Sequence, residues 1–220
     1  MLRASPDSPR MFESDLVDYF SRTYPAIVPI LYVPGALIPF VYAVAKLKLN
    51  VAVCCSLAVL GFVAWTLTEY WLHRTLFHKS FKGPIGERVH FLIHGVHHRW
   101  PKDKYRLVMP PAVSLSLYIV FLGLFSFIFG PHYRWPFLAG FVTGYMVYDV
   151  THFAIHHIRP VTERGKRLRR HHLLHHFKDS RRRFGVSTMI WDWVFGTLDV
   201  GLASRRIEEN RQRLGSPSVR

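Results

Sequence analysis

Long uncharged apolar segments restrict this chain of 220 residues to folds that a membrane stabilises. Residues 25–45, 51–68 and 107–130 contain no Asp, Glu, Lys or Arg, and residues 135–148 form a fourth, shorter run. About 20 consecutive apolar residues cross a bilayer, and soluble proteins seldom bury three such runs in one core. We therefore predict an all-α fold with four transmembrane helices.

The distribution of basic residues predicts how these helices are oriented. Of the 29 Lys and Arg residues, only Lys46, Lys48 and Arg134 lie in the two short turns that follow the first and third runs. Loops rich in Lys and Arg remain on the cytoplasmic side of a membrane. We therefore expect two hairpins with both termini cytoplasmic. The membrane would be the endoplasmic reticulum in a eukaryote and the inner membrane in a bacterium.

The polar ends of the chain set the expected domain boundaries. Residues 1–24 carry several acidic residues and lack a signal-peptide pattern, so they are interpreted as an N-terminal cytoplasmic arm. Residues 25–200 are expected to form one integral-membrane domain, and residues 201–220 a polar C-terminal tail.

Composition excludes several classes of protein. The net charge of +15 would suit a nucleic-acid partner, but no ordinary DNA-binding domain of this size needs 50% hydrophobic residues. Anionic lipid is the polyanion that fits both values, and no nucleic-acid partner is expected. The two cysteines, Cys54 and Cys55, are too few for a disulfide scaffold, a cysteine-rich zinc finger or an iron–sulfur cluster.

Histidine is unusually frequent and unevenly placed. The chain has 14 His, of which all but His132 fall in four clusters. The clusters consist of His73 and His78; of His90, His94, His97 and His98; of His152, His156 and His157; and of His171, His172, His175 and His176.

The spacing within the clusters is typical of metal ligands on helices. Residues three and four apart share one face of an α-helix. This relation joins His94 to His97 and His98, joins His152 to His156, and joins His172 to His175 and His176. By contrast, His73 and His78 are five apart and would diverge by about 140° on a straight helix. They converge only if the helix ends between them, unless each serves a different metal.

The number of histidines predicts two metal ions, because four to six ligands fill the coordination shell of one. Imidazole suits zinc, copper, iron and nickel, and only a redox-active metal can reduce O2, which excludes zinc from that role. We interpret His90, His132, His157 and His171 as residues outside the metal site. Glu69 and Asp149 precede His73 and His152 by about one turn; they are expected either to orient those ligands or to form interfacial salt bridges with arginine.

With these motifs laid out, the chain resembles the fatty acid hydroxylase superfamily, and it is most similar to the sphingolipid fatty acid 2-hydroxylases. The resemblance extends over roughly residues 11–200 and is specific, because four histidine motifs occur in order with matching flanking words. The matching segments are EYWLHRTLFH (69–78), HFLIHGVHHRWPKDKYRLVMPP (90–111), GYMVYDVTHFAIHH (144–157), HHLLHHF (171–177) and FGVSTMIWDWVFGTL (184–198).

The resemblance implies a fold, a site and a reaction. The fold would be a four-helix membrane anchor with a cytoplasmic helical cap that holds a histidine-rich dimetal site. The reaction would be O2-dependent 2-hydroxylation of long-chain fatty acyl groups, free or in ceramide, with iron as the expected metal and zinc possible in isolated protein. The implied catalytic metal ligands are His73, His78, His94, His97, His98, His152, His156, His172, His175 and His176.

One departure from the family pattern concerns the source of electrons. Many members carry a cytochrome b5 domain, and this sequence has no HPGG-type haem motif, so a separate donor of the cytochrome b5 or ferredoxin type is expected. Arg181, Arg182 and Arg183 are the candidates for docking it. Two alternatives stay open: a related histidine-box hydroxylase or desaturase acting on sterols or carotenoids, and a non-enzymatic metal-binding membrane protein.

Overall fold

The computed structural model describes Ser5, residues 7–79 and residues 82–198. These residues form helices and loops without a β-strand, which confirms the predicted all-α class. The proposed tail at 201–220 lies outside the described residues. The helices are α1 (Asp15–Phe20), α2 (Ile27–Ala45), α3 (Val51–Trp71), the π-helix π1 (Leu72–Phe77), α4 (Gly83–His90), the π-helix π2 (Phe91–Gly95), α5 (Val96–Arg99), α6 (Pro111–His157), α7 (Glu163–Phe177) and α8 (Ile190–Val194).

Local side-chain chemistry explains where the helices begin. Asn50 precedes α3, and its side-chain oxygen accepts hydrogen bonds from the backbone N–H groups of Ala52 and Val53. Thr162 caps α7 in the same manner by accepting from the N–H of Gly165. Such caps satisfy amide groups that the first helical turn leaves without a partner.

The longest helix, α6, is bent back on itself. Gly130 has φ 72° and ψ −176°, a conformation outside the helical range that glycine adopts without strain. On either side of it, the rings of Phe125 and Phe137 lie 4.8 Å apart, and those of Phe121 and Phe141 lie 4.7 Å apart. Residues 20 apart along a straight helix would be about 30 Å apart. The two arms of α6, 111–129 and 131–157, therefore form a hairpin.

Small residues bring α3 and α6 into close contact. A Cβ atom on Gly61 would overlap the carbonyl group of Phe137, and one on Gly140 would overlap the backbone of Ala58. Close approach at small residues is the usual means by which membrane helices pack. Around this contact, α2 also packs on α6, and aromatic rings fill the space between the helices.

The outer surface of the helical bundle is apolar. Three helical segments are long and apolar enough to cross a membrane: Ile27–Ala45, Val51–Phe77 and Pro111–His157. Large side chains on them face outward, the most extreme being Phe127 with 91% of its surface exposed. An apolar exterior of this extent fits a lipid environment rather than water.

The N-terminal arm is more ordered than its polar sequence indicates. Asp18 binds Arg22 at 2.5 Å and Arg106 at 2.9 Å, and Arg106 also contacts Asp103 at 3.3 Å. All four side chains are nearly inaccessible to solvent. The arm is thus joined to the loop between α5 and α6 by a buried charge network that sequence analysis did not predict.

Candidate metal centre

A π-helix resolves the spacing problem of His73 and His78. The chain continues from α3 into π1, so the turn is widened over Leu72–Phe77, and His78 follows directly after the last helical residue. Backbone hydrogen bonds of a π-helix join residues five apart, which places such residues next to each other. The rings of His73 and His78 are accordingly stacked with centroids 5.1 Å apart. One of the two explanations predicted from sequence agrees with the structure, because the helix ends at Phe77, directly before His78. The other does not apply, because both histidines belong to one group.

The ten histidines implied by the resemblance gather into two groups of five. Within each group, one ring nitrogen from every histidine lies within 4.8 Å of the others. The first group consists of His73, His78, His94, His98 and His175. The second group consists of His97, His152, His156, His172 and His176.

Each H-x-x-H-H motif is divided between the two groups. In the motif that spans π2 and α5, the first and last histidines, His94 and His98, join the first group, and His97 joins the second. The motif of α7 has the opposite assignment, since His175 alone crosses to the first group. Each group therefore contains two pairs of histidines that are four or five residues apart, and one histidine from a motif whose other two histidines belong to the other group. The two groups are adjacent.

Distances between the ring nitrogens fit ligands that share an ion. The Nε2 atom of His172 lies 3.0, 2.9 and 3.0 Å from those of His152, His156 and His176. In the first group, the Nε2 atom of His94 lies 3.1 Å from that of His73 and 3.0 Å from that of His98. Two imidazoles bound at about 2.0–2.1 Å and at right angles would be about 3 Å apart.

Hydrogen bonding alone does not account for this convergence. The Nε2 atom of a neutral imidazole has either one proton or one lone pair, so it cannot serve three partners at once. Five nitrogen atoms around one point do match the donor set and number that a transition-metal ion requires. The residues present therefore fit a pair of metal ions.

The environment of these histidines favours the neutral form that binds metal. Burial, followed by the neighbouring imidazoles His175 and His98, lowers the pKa of His78 to about 3. Burial likewise lowers the pKa of His98 and of His175 to about 4, and it holds the pKa of His94, His97 and His172 well below the usual value.

Comparison with known proteins agrees with this site. The sequence model described as fatty acid hydroxylase matches residues 58–197. Dihydroceramide fatty acyl 2-hydroxylase FAH1 of Arabidopsis thaliana is 36% identical over 209 residues, which cover 92% of this chain and 85% of the relative. The chain belongs to the fatty acid hydroxylase family.

Two further relatives support this assignment. Ceramide very long chain fatty acid hydroxylase scs7 of Schizosaccharomyces pombe is 38% identical over 177 residues, which are 78% of this chain and 50% of the relative. A solved structure of full-length scs7p, in which only the hydroxylase domain is visible, has a TM-score of 0.80 and 36% identity. It covers 89% of this chain and 72% of the solved one. As a member of the fatty acid hydroxylase family, the chain is an enzyme of the hydroxylase class.

The histidines set aside by spacing lie outside both groups of this hydroxylase. Of His90, His132, His157 and His171, the last has a clear separate contact, with its Nε2 atom 3.0 Å from Oδ2 of the buried Asp192. Neither Asp192 nor this contact was predicted from the sequence. An aspartate in an apolar segment such as IWDWV was the available signal.

The two carboxylates expected to orient ligands behave differently from that expectation. Glu69 binds the backbone of Val186 and Ser187, whereas the ring of His73 is held by the carbonyl oxygen of Phe184. Asp149 is buried, but its Oδ2 atom and the Nδ1 atom of His152 both lack a hydrogen-bond partner among the described residues. Direct contact between carboxylate and ligand is therefore not the arrangement in this hydroxylase.

Arg183 is buried and is therefore not the donor-docking residue that the sequence suggested. Arg181 and Arg182 are exposed, but Arg183 is 3% exposed and has a φ of 64°. Because its side chain is buried, Arg183 belongs to the structure around the site rather than to a docking surface. Of these three arginines, Arg181 and Arg182 are exposed, and both form ion pairs with Asp179.

Proposed function

We propose that this protein catalyses O2-dependent 2-hydroxylation of long-chain fatty acyl groups, free or in ceramide. The observation that supports this most is the gathering of ten histidines into two adjacent groups of five in a chain of the fatty acid hydroxylase family. The relatives named above act, by their names, on dihydroceramide or ceramide fatty acyl groups.

The ten histidines of the two groups are the proposed ligands, each group holding one ion. Iron is the expected metal in the working enzyme, and zinc can replace it in isolated protein because both accept imidazole. A pair of redox-active ions supplies the O2 chemistry that amino-acid side chains lack. The protein keeps the imidazoles neutral by burial and holds them in place before an ion arrives.

The proposed membrane arrangement is four spans in two hairpins beneath a cytoplasmic cap. Spans one and two are α2 and α3, and the two arms of α6 form spans three and four. With this arrangement, both termini and 26 of 29 basic residues are cytoplasmic, as the positive-inside rule requires. The endoplasmic reticulum of a eukaryote or the inner membrane of a bacterium would hold it. The proposed domain boundaries remain 1–24, 25–200 and 201–220.

A separate electron donor of the cytochrome b5 or ferredoxin type is the proposed partner. The exposed Arg181 and Arg182 lie just after α7, the helix that supplies His172, His175 and His176. Such donors are acidic, and opposite charges both steer and orient the encounter between two proteins. The donor would therefore approach the part of the cap that adjoins the end of α7.

Lipid mass spectrometry of a host without 2-hydroxylation tests this function. Expression of the protein together with a donor should produce 2-hydroxy acyl lipids, 16 mass units heavier than their precursors. His94→Ala should abolish them, and the matched control His90→Ala, one turn away but outside both groups, should retain them. Hydroxylated sterols or carotenoids without any 2-hydroxy acyl product would refute the proposal.

A further inference from the structure

The segment 182–187 holds two ligands of the first group by their outer ring nitrogens. The carbonyl oxygen of Phe184 lies 2.5 Å from Nδ1 of His73, and that of Arg182 lies 2.7 Å from Nδ1 of His175. A carbonyl oxygen only accepts hydrogen bonds, so each contact requires the proton of the ring to be on Nδ1. The lone pair of each ring is then on Nε2, the atom that faces the group.

The second group has no comparable support among the described residues. The Nδ1 atoms of four of its five members are buried without a hydrogen-bond partner in that part of the chain. They belong to His97, His152, His172 and His176. The two groups thus differ in how their ligands are held, although the number and type of ligands are the same.

Glu69 fixes one end of the segment to the helix that carries His73. Its Oε1 atom accepts from the N–H groups of Val186 at 2.6 Å and Ser187 at 2.9 Å, and its Oε2 atom accepts from the Ser187 hydroxyl. The Glu69 side chain is buried, with 3% of the residue exposed. Since Glu69 lies one turn before His73, the carboxylate sets the distance between that ligand and the segment.

Asp192 fixes the middle of the segment. Its two oxygens accept from the N–H groups of Phe184 and Gly185, each at 2.8 Å, and it is completely buried. A Cβ atom on Gly185 would overlap the carbonyl oxygen of Thr188 and come within 2.9 Å of Oδ2 of Asp192. The backbone therefore approaches the carboxylate as closely as glycine alone permits.

We propose that Glu69 and Asp192 are positioning residues that act through the segment 182–187 on the first metal ion and leave the second unaffected. Between them they bind four consecutive amide groups, those of residues 184–187, so that the carbonyl groups of Arg182 and Phe184 have fixed places. This inference rests on the two-ion centre of the proposed function.

Zinc titration of the metal-free, detergent-solubilised protein against a competing chelator tests the proposal. The unmodified protein is expected to bind two ions. In Glu69→Gln, one ion should bind about 10–100-fold more weakly and the other should keep its affinity, since outer contacts of metal ligands have effects of this size.

Asp18→Asn is the matched control. Asp18 is also a buried carboxylate whose one oxygen accepts from two consecutive backbone N–H groups, those of Met11 and Phe12, but it does not contact the segment 182–187. Its replacement should leave the affinity for both ions unchanged. If Asp18→Asn weakened zinc binding as much as Glu69→Gln does, the weaker binding would be explained by general destabilisation of the protein.

Double variants identify which ion is affected. His156→Ala damages the second group, so the ion that still binds tightly is the one in the first group, and Glu69→Gln should weaken its binding. His78→Ala damages the first group, and Glu69→Gln should then leave the tightly bound ion of the second group unaffected. Ser187→Ala removes only the hydroxyl contact and should show the same selectivity at smaller size, even if Glu69→Gln fails to fold. If Glu69→Gln lowered the affinity for both ions equally, or for neither, the role proposed for Glu69 and Asp192 would be wrong, and the proposed two-ion centre would be unaffected. An unmodified protein that binds fewer than two ions would instead overturn the proposed centre.

Discussion

His98 and His176 lie face to face, with ring centroids 4.2 Å apart and planes inclined by 24°, although they belong to different histidine groups. They come from α5 and α7, the two helices whose motifs are divided between the groups. The stacked pair makes the two groups neighbours, so both ions would act on one reaction site rather than on two.

Replacement of one proposed ligand is expected to impair the whole enzyme. In His98→Ala and in His176→Ala, each group keeps at least four histidines, but one ion loses a direct bond. Loss of a contact to a metal ligand typically lowers activity about 10–100-fold, and we expect loss of a ligand itself to lower it further. The metal-to-protein ratio and turnover of each purified variant, with His90→Ala as the unaffected control, measure this. Full activity in either variant would remove that residue from the ligand set.

Close packing of α3 on α6 predicts a steric effect at Gly140. Gly140→Ala should lower the free energy of unfolding by about 1–3 kcal/mol, because the new Cβ atom would overlap the backbone of Ala58. Gly123→Ala is the control: a Cβ there has no atom within 4 Å, and alanine favours a helix. Thermal unfolding of both variants in detergent checks the difference. Equal midpoints would show that α3 and α6 are not in close contact.

The buried network of the N-terminal arm predicts a pH-dependent contribution to stability. Burial raises the pKa of Asp18, but the amide of Met11 and the charges of Arg22 and Arg106 together lower it further, and the net pKa is below the usual value. The ionised carboxylate therefore stabilises the folded state above about pH 4. This contribution disappears as the pH falls through the lower folded value.

Asp18→Asn should accordingly destabilise the protein by about 3 kcal/mol at pH 7, because the buried Arg22 and Arg106 each lose an ion pair, although Arg106 keeps its contact with Asp103. The difference in unfolding midpoint between the variant and the unmodified protein should narrow as the pH is lowered from 5 to 3. A difference that is constant over this range would show that Asp18 is not ionised in the folded protein.

Docking of the donor predicts a salt-sensitive effect at the cap. With Arg181 and Arg182 both changed to glutamate, the KM for an acidic donor should rise about 10-fold at low ionic strength, with unchanged metal content. The increase should shrink above 0.5 M salt, where charges are screened within a few ångströms. Lys48→Glu, on the opposite side of the proposed membrane, is the control. A KM that is unaffected at low salt would place the donor elsewhere.

The sequence predicted which histidines lie together better than it predicted their geometry. Helical spacing identified eight of the ten histidines, and the resemblance added His73 and His78, whose separation of five was unexplained. The π-helix that joins those two depends on backbone hydrogen bonds that the residue pattern does not reveal. The division of each motif between the two histidine groups was likewise unpredicted, because spacing alone does not show that one residue of a motif joins a second group.

Contacts made by backbone groups were harder to predict from the sequence than the histidine groups. Every residue has a backbone carbonyl group. No residue type therefore marks the carbonyl groups of Arg182 and Phe184 as the ones that hold His175 and His73. The buried ion pairs of the N-terminal arm were not predicted, because Arg106 is 88 residues away from Asp18. The fold, in contrast, was largely predictable because uncharged runs of this length have few other structures.

Isotope tracing is the decisive test of the proposed 2-hydroxylation. Purified iron-loaded protein is supplied with a reduced donor, 18O2 and a long-chain ceramide whose acyl C2 carries two deuterium atoms. We expect a product with one 18O and one remaining deuterium at C2, absent in His94→Ala and present in His90→Ala. Oxygen derived from water, hydroxylation at another carbon, or retention of both deuterium atoms would contradict it.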